Sequence, residues 1–254
     1  MMGIYAMSGG ATGIGAAIRE RLCQDGHKVI VVDLNDGDIC ADLSEYAGRQ
    51  RAIDGIRQLC PDGLDGFIPC AGVGPSVRPP SLIARINYFA AVALTEGVLD
   101  LLEMRKGRIV MIASNSAPMV EHNDYVDLLL DGKEEEACEL ADSRDTHSAY
   151  AGSKHAICCW LRRRSGEFAR RGIRINGVAP GIVRTPLTDK VLDDKELGQA
   201  MRDFGDTVPL GSIGQPQQIA EMVNVLFGPA GEYMTGSLVF IDGGHDAMLR
   251  PDGF

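Results

Sequence analysis

Residues 3–24 read GIYAMSGGATGIGAAIRERLCQ and join a short apolar run, a glycine-rich loop and a stretch with helical spacing. The pattern predicts a strand at Gly3–Met7 and a helix at Gly13–Gln24. Three glycines of the loop and first helical turn permit a tight turn and let a pyrophosphate approach backbone N–H groups. They are Gly9, Gly13 and Gly15. No Gly-Lys-Ser/Thr follows, which disfavours a nucleoside-triphosphate P-loop.

Short apolar runs alternate with longer amphipathic stretches along the rest of the chain. Further strands are predicted at Lys28–Asp33, Gly66–Cys70, Arg108–Ala113, Arg174–Val178 and Leu238–Ile241. Helices are predicted at Leu43–Leu59, Ala84–Glu103, Tyr150–Arg171 and Gln217–Phe227. This alternation, with strands apolar throughout, is typical of the α/β class. We therefore expect one Rossmann-type domain over residues 1–254, a doubly wound parallel sheet with helices on both faces.

Asp33 ends the second predicted strand, about 20 residues beyond the glycines. A carboxylate at that position accepts hydrogen bonds from the adenosine ribose hydroxyls and repels a 2′-phosphate. Leu34, Asn35 and Asp36 follow it, so no adjacent basic residue offsets this repulsion. The position favours NAD over NADP, the alternative being a solvated aspartate at a strand end.

Tyr150 and Lys154 are four residues apart and share one face of a predicted helix. Ser114 follows the strand Arg108–Ala113, and strand ends of this kind line the ligand crevice. A free tyrosine ionises near pH 10, with a pKa of about 10. A lysine ammonium and a positively charged nicotinamide ring both favour the phenolate. The three side chains suit interconversion of an alcohol and a ketone, with the serine hydroxyl bound to the substrate oxygen.

These motifs resemble the short-chain dehydrogenase/reductase family over essentially the whole chain. Ser8 stands where the family has threonine in its glycine-rich loop, and Cys70 stands where it has asparagine before Ala71-Gly72, which would loosen that loop. Asp42-Leu43 is similar to the family's adenine-side pair, and Ile241-Asp242-Gly243-Gly244 to its closing strand and turn.

The resemblance implies two sets of site residues. The catalytic residues would be Ser114, Tyr150, Lys154 and Asn87, the last organising a water beside the lysine. The cofactor-binding residues would be Ser8, Gly9, Gly13, Ile14, Gly15, Asp33, Asp42, Leu43, Ala71, Gly72, Tyr150, Lys154, Pro180, Gly181, Ile182, Val183 and Thr185. The segment from Pro180 to Thr185 would flank the nicotinamide.

Within the family, the chain is similar to the bacterial 3α-hydroxysteroid dehydrogenase/carbonyl reductase subfamily. Similar stretches are residues 70–75, 87–89, 150–154 and 241–251. The resemblance implies an NAD-dependent oxidoreductase that interconverts a secondary alcohol and a ketone. Alternatives are a dehydrogenase of an aromatic alcohol (coniferyl-alcohol type) or another cyclic alcohol, a lyase or epimerase, and a non-catalytic NAD-sensing member.

The stretch between Ser114 and Tyr150 is longer than the family's, so the chain carries an insertion at about 117–146. Tyr125–Leu130 and Lys133–Ala141 are predicted to be helical within it. We expect the insertion to wall the substrate pocket and to modify or block a four-helix interface that many relatives build from the helices at Ala84–Glu103 and Tyr150–Arg171. The family resemblance implies a homodimer or homotetramer.

A second variable segment, Thr185–Ile213, includes a predicted helix at Asp194–Phe204 and is expected to be a mobile lid over the nicotinamide. Four apolar residues are candidates for the pocket wall, although ordinary packing is the more common explanation for residues of this kind. They are Met119, Leu187, Met201 and Phe204.

Composition bounds the partners of the chain. The formal net charge is −10, which argues against nucleic acid and against an anionic membrane surface. No apolar run approaches the roughly 20 residues of a membrane span. Seven cysteines without C-x-x-C predict reduced thiols in a cytoplasmic protein, and the five histidines show no metal-ligand spacing, so no metal is expected. The partner expected is therefore a small alcohol or ketone, whether steroid, aromatic or cyclic.

Charge is unevenly distributed along the chain. Asp131–Asp145 has seven acids and two bases, whereas Arg162–Arg174 has six arginines and one glutamate. We expect the acidic segment to neutralise the arginine cluster, either within one chain or between subunits.

Overall fold

The apolar runs form seven parallel strands of one sheet. In chain order they are β1 (Ile4–Ser8), β2 (Lys28–Asp33), β3 (Ile39–Cys40), β4 (Gly66–Pro69), β5 (Arg108–Ile112), β6 (Arg174–Pro180) and β7 (Leu238–Ile241). Their order across the sheet is β3-β2-β1-β4-β5-β6-β7. The chain therefore builds the sheet outward in both directions from β1, and the direction changes between β1 and β4. The predicted α/β class and parallel sheet are confirmed.

The structure is a computed structural model that describes residues 2–186, 188, 199 and 205–253. Its helices are α1 (Gly13–Gln24), α2 (Tyr46–Leu59), α3 (Ser81–Gly97), α4 (Leu99–Arg105), α5 (Asp124–Leu130), α6 (Glu134–Asp142), α7 (Thr146–Arg170), α8 (Pro216–Phe227) and α9 (His245–Leu249). The predicted helix Asp194–Phe204, with Leu187 and Met201, lies outside the described residues.

Two apolar cores cover the two faces of the sheet. Along β1, Ala6 faces the core formed with α2 to α7, whereas Tyr5 and Met7 face the core formed with α1 and α8. Successive strand side chains point to opposite faces, so a strand buried on both sides must be apolar at every position. This explains why the runs alternate so little with polar residues.

The predicted helix Ala84–Glu103 is divided into α3 and α4, which are bent by 51°. The break lies at Val98. At Gly97, directly before it, a Cβ would stand 2.5 Å from Cδ1 of Ile53 on α2. Within α3, residues Ala84–Ala90 form a π-helical stretch that includes Asn87. Among the described residues no single helix is long and apolar enough to cross a membrane, while the bent pair of α3 and α4 has the length and composition for it.

The insertion folds as the sequence predicts, into α5 and α6 after a 3₁₀ turn at Ala117–Met119. Its Tyr125 is fully buried and packs on Gly152 of α7, where a Cβ would lie 2.8 Å from the ring. Cys138 of α6 packs beside the start of α3, with its thiol 3.8 Å from the carbonyl oxygen of Ser81. The insertion therefore covers parts of the two long helices that the interface hypothesis names.

The acidic segment pairs with other arginines than those of the cluster at Arg162–Arg174. Glu134 of α6 bonds Arg49 of α2 and Arg85 of α3. The cluster instead pairs with α3 and α4, through Arg164 with Glu96 and Arg171 with Glu103. Of the ion pairs among the described residues, none joins the two segments, so neutralisation through ion pairs within one chain is wrong, while neutralisation between subunits stays a prediction.

The buried guanidinium of Arg49 yields a test of stability. Only 4% of Arg49 is exposed, and it also donates to the carbonyl oxygens of Leu43 and Ser44. Replacing Glu134 with Gln leaves that charge uncompensated and should lower the free energy of unfolding by about 1–3 kcal/mol. Denaturant unfolding measures the loss. The control Glu136→Gln lies in the same helical turn but at an exposed position, and an equal loss there would contradict the assignment.

Candidate active site

The glycine-rich loop packs closely against the sheet at the point where the strand order changes direction. Gly9 has a φ of 74°, and a Cβ there would lie 2.5 Å from Cα of Ala71 after β4. At Gly15, a Cβ would lie 1.7 Å from the carbonyl oxygen of Gly9. Both positions therefore require glycine, and the loop folds back onto the first turn of α1.

The N-terminus of α1 fits an anionic ligand. Thr12 occupies the N-cap position, but its side chain makes no capping hydrogen bond to the helix. The first-turn N–H groups therefore have no side-chain cap, and the helix dipole favours negative charge beside them. Together with the glycine cradle, this arrangement fits the pyrophosphate of a dinucleotide.

Asp33 stands at the end of β2 beside this cradle. Its Oδ2 accepts a hydrogen bond from the N–H of Ala11 at 2.9 Å, and its Oδ1 accepts from the N–H of Leu34 at 2.8 Å. The carboxylate thus fixes the loop while remaining partly exposed. It lies at the carboxyl edge of the sheet, where the sequence predicts the ribose.

Asp42 and Leu43 follow the short strand β3 on the same edge. The carboxylate of Asp42 accepts hydrogen bonds from the N–H and the hydroxyl of Ser44, at 2.9 and 2.7 Å. Leu43 is buried, and its carbonyl oxygen is held by Arg49. The predicted adenine-side pair is therefore a structured turn, linked through Arg49 to the insertion.

The loop after β4 is held from two sides. Ser8 accepts a hydrogen bond from the N–H of Ala71 at 3.2 Å. Asn87 accepts from the N–H of Val73 at 2.8 Å and donates to its carbonyl oxygen at 3.0 Å. Gly72 lies under the same amide, since a Cβ there would be 3.2 Å from the Oδ1 of Asn87. These bonds hold the loop although Cys70 replaces the family's asparagine.

The chemical centre lies where α7 docks on β5. Asp145 caps α7 through the N–H of Ser148, so the helix begins at Thr146, one turn earlier than predicted. Lys154 is buried and donates to the carbonyl oxygen of Ile112 at 2.9 Å. Its Nζ lies 5.9 Å from the centroid of the Tyr150 ring. The lysine therefore anchors the helix to the strand that leads to Ser114.

Ser114 has a partner that sequence reasoning missed. Its hydroxyl oxygen lies 2.9 Å from the hydroxyl of Ser116 and accepts a hydrogen bond from the N–H of Ser116 at 3.1 Å. These contacts orient the Ser114 side chain, which is 8% exposed. The Ser-x-Ser spacing after a strand end is the signal that could have identified this partner.

Two thiols near Lys154 stay protonated at neutral pH. Burial raises the pKa of Cys70 to about 12, although the ammonium of Lys154 opposes the shift. Burial likewise raises the pKa of Cys158 to about 12. Neither thiol adds a negative charge that would compete with Tyr150 for the ammonium.

The segment after β6 closes the edge of the site. Gly181 packs on Asp242, where a Cβ would lie 2.7 Å from its Cα. Val183 forms an isolated parallel bridge with Gly214. The N–H of Gly214 also donates a hydrogen bond to the carbonyl oxygen of Ile182. Thr185 reaches the glycine-rich loop, because a Cβ on Gly13 would be 3.3 Å from its Cγ2.

The structure thus brings the predicted site residues to one edge of the sheet, as expected for the carboxyl ends of parallel strands. Ser8, Asp33 and Pro180 end β1, β2 and β6, while Ala71, Gly72 and Ser114 follow β4 and β5. Met119 is 43% exposed in the 3₁₀ turn after Ser114, whereas Leu187, Met201 and Phe204 lie outside the described residues.

Comparison with known proteins agrees with this geometry. A family model described as short chain dehydrogenase matches residues 4–125, and one described as enoyl-(acyl carrier protein) reductase matches residues 140–246. The 3-alpha-hydroxysteroid dehydrogenase/carbonyl reductase of Comamonas testosteroni is 35% identical over 259 residues, covering 100% of both chains.

Solved structures give the same result. The 3-alpha-hydroxysteroid dehydrogenase from Pseudomonas sp. B-0831, complexed with NADH, has a TM-score of 0.94 and 39% identity, covering 99% of this chain and 100% of that one. The NADP complex of RhlG from Pseudomonas aeruginosa has a TM-score of 0.76 and 26% identity, covering 97% of each chain. The chain therefore belongs to the short-chain dehydrogenase/reductase family, the oxidoreductases that act on alcohol and ketone groups with a nicotinamide cofactor.

Proposed function

We propose that the chain is an NAD-dependent dehydrogenase/reductase that interconverts a secondary alcohol and its ketone, with a hydroxysteroid-type compound as substrate. The observation that carries this proposal is the docking of Lys154 on Ile112, which places its ammonium beside the Tyr150 ring at the strand that leads to Ser114. The similarity to two 3-alpha-hydroxysteroid dehydrogenases supports the substrate class.

In this mechanism each side chain has a distinct task. Tyr150 takes the hydroxyl proton during alcohol oxidation and returns it during ketone reduction. Lys154, whose ammonium lies 5.9 Å from the centroid of the Tyr150 ring, stabilises negative charge that develops as the proton moves and would hold the cofactor ribose. Ser114, oriented by Ser116, donates a hydrogen bond to the substrate oxygen as charge develops there. A bound nicotinamide cofactor would supply the hydride chemistry at the substrate carbon.

Asn87 acts mainly by position in this proposal. Its amide holds both backbone groups of Val73, which fixes the loop that carries Ala71 and Gly72 against the cofactor. An amide nitrogen has two N–H groups, and the bond to Val73 uses one of them. We assign the second to the water that relays protons beside Lys154.

The residues at the sheet edge would hold the cofactor. The pyrophosphate would be bound at the first turn of α1 by Gly9, Gly13, Ile14 and Gly15. The adenosine would be bound by Asp33, Asp42 and Leu43, and the nicotinamide by the segment from Pro180 to Thr185. Ser8 supports this arrangement through the N–H of Ala71.

Cofactor preference tests the role of Asp33. The carboxylate repels the 2′-phosphate of NADP, so wild-type kcat/KM should be at least about tenfold higher with NAD. Replacing Asp33 with Asn removes the charge but keeps an oxygen that can accept the bond from Ala11. We expect this variant to lose most of the preference while its thermal unfolding stays near wild type. Kinetics with both cofactors measure the change.

Two results would contradict that assignment. One is a wild-type enzyme that prefers NADP. The other is an Asp33→Asn variant with an unchanged preference, since the charge would then have no part in selection. An Asp33→Ala variant, which also loses the bond to Ala11, serves as the comparison: it should unfold at a lower temperature than Asp33→Asn.

A substrate panel tests the proposed activity. Hydroxysteroids, aromatic alcohols of the coniferyl type and simple cyclic alcohols are each offered with NAD, and NADH formation is followed at steady state. We expect the highest kcat/KM with a 3α-hydroxysteroid. A preference for the aromatic alcohols would contradict the proposed hydroxysteroid substrate but agree with the proposed alcohol–ketone reaction. Absence of turnover with every alcohol of the panel would contradict both the substrate and the reaction.

We also propose a homodimer or homotetramer in the cytoplasm. The side chains of β7, an edge strand, are apolar but only partly buried within one chain, which supports a subunit contact there. Because the insertion packs on α3 and α7, we propose that it blocks the four-helix interface.

The cysteines support the proposed location in the cytoplasm. All seven lie in the described part of the chain and are free, as is typical of a reducing compartment. Neither nucleic acid nor a membrane is a proposed partner.

A further inference from the structure

One cluster of side chains lies outside the proposed catalytic machinery. The ligand atoms of His122, His155 and Cys159 lie within 4.8 Å of one another. His155 and Cys159 are four residues apart on one face of α7, while His122 comes from the insertion just before α5. Among the residues that the structure describes, no other group of three histidine, cysteine or acidic side chains meets so closely.

Each imidazole has one nitrogen committed to a hydrogen-bond acceptor. The Nδ1 of His155 lies 2.9 Å from the carbonyl oxygen of Ala117, so Nδ1 carries the proton and Nε2 keeps its lone pair. The Nε2 of His122 lies 2.7 Å from the carboxylate of Asp127, so its Nδ1 keeps the lone pair. Carbonyl and carboxylate acceptors of this kind orient the histidine ligands of metal ions.

The thiol of Cys159 completes the set. Its Sγ lies within 4.8 Å of a ring nitrogen of His155 and of one of His122, and its exposure is intermediate. The neighbouring thiol of Cys158 lies on another face of the helix, so the contact is specific to one of two adjacent cysteines. Two imidazole nitrogens and one sulfur are the ligands that Zn²⁺ prefers in proteins.

We propose that His122, His155 and Cys159 bind one Zn²⁺ ion, with water as the fourth ligand. Zinc holds nitrogen at about 2.0–2.1 Å and sulfur at about 2.3 Å. Two ligand atoms bound to one ion at these lengths lie less than about 4.4 Å apart, and the three atoms here lie within 4.8 Å of one another. His122 can adjust its ring to the bond lengths because 41% of its side chain is exposed.

The bound ion would cross-link the insertion to the catalytic helix. His155 directly follows Lys154, so the ion would fix the 3₁₀ turn and the start of α5 beside the centre that contains Ser114 and Tyr150. The spacing of histidines along the sequence predicts no such site, because His122 and His155 come together only through the fold. The proposal thus departs from the expectation that the chain binds no metal.

Cobalt and zinc titrations of the chelator-treated protein test the site. We expect one Co²⁺ per chain, a thiolate-to-cobalt charge-transfer band, the visible bands of tetrahedral cobalt, and displacement of cobalt by Zn²⁺. The variants His122→Asn and Cys159→Ser should weaken Zn²⁺ binding at least about 100-fold. Asp127→Asn, which removes only the orienting carboxylate, should weaken it about tenfold.

Two variants serve as matched controls. Cys23→Ser removes an exposed thiol on α1, and His147→Asn removes an exposed histidine on α7. Both should bind Zn²⁺ as wild type does. Thermal unfolding without metal shows that each variant is folded, and Zn²⁺ should raise the unfolding temperature of the wild type but not of His122→Asn. Absence of the thiolate band in wild type, or wild-type affinity in folded His122→Asn and Cys159→Ser, would overturn the proposal.

Discussion

Replacing Tyr150 with Phe should lower kcat by about 10³-fold, because the variant keeps the ring but has no hydroxyl to exchange the substrate proton. The phenol makes no contact that holds Lys154, whose ammonium is bound to the carbonyl oxygen of Ile112 at 2.9 Å. We therefore expect the cofactor Kd to stay within about twofold of wild type, since the ribose-binding lysine keeps its place. Steady-state kinetics and isothermal titration measure the two quantities.

A matched control separates this effect from a general effect of losing a phenol. Tyr233 is fully exposed in the turn before β7, and Tyr233→Phe should leave kcat unchanged. An unchanged kcat in Tyr150→Phe would remove the tyrosine from the chemistry. A large rise in its cofactor Kd would instead assign Tyr150 a role in binding.

Replacing Gly15 with Ala should raise the cofactor Kd more than about 100-fold, a loss of about 2.8 kcal/mol. The added Cβ would lie 1.7 Å from the carbonyl oxygen of Gly9 and 3.2 Å from Cα of Gly10. Both neighbours are backbone atoms, so the loop itself must move away from α1. That movement disrupts the cradle and the approach of phosphate to the helix N-terminus.

Isothermal titration with NAD and NADH measures this loss, and thermal unfolding measures how much of it comes from destabilisation. Gly166→Ala is the control, because its Cβ would meet only the Nη1 of Arg170 at 3.9 Å within a helix. Alanine there should stabilise the protein by about 0.5–1 kcal/mol and leave the cofactor Kd unchanged. Near-wild-type affinity in folded Gly15→Ala would show that the loop does not hold the cofactor.

Sequence reasoning predicts the sheet well because its strands are buried on both faces. The run KVIVVD forms β2 over the predicted residues, Lys28–Asp33. The two-residue strand β3 has no such signal, since a pair such as Ile39–Cys40 is too short for a periodicity. The break between α3 and α4 lies at Val98, although the helical spacing of buried residues continues through it from Leu94 to Leu101, so the apolar pattern could not predict it.

In the candidate site, too, some features could be predicted from the sequence, whereas others depend on how distant segments pack. Its residues follow the ends of parallel strands, and those ends share one edge, so their convergence could be predicted from chain order. The earlier start of α7 was also predictable, from the cap formed by Asp145 and Ser148. The partners of Glu134 and the approach of His122 to α7 were not, because both depend on how the insertion packs.

The most direct test is to follow the hydrogen of the substrate. A secondary alcohol that is turned over, deuterated at the carbinol carbon, is oxidised with NAD in ordinary water, and the NADH formed is analysed by mass spectrometry. We expect one deuterium in each NADH, together with the corresponding ketone, and no label when an unlabelled alcohol reacts in D₂O. Conversion of the alcohol without NADH, or NADH that lacks the substrate deuterium, would contradict direct hydride transfer and with it the proposed function.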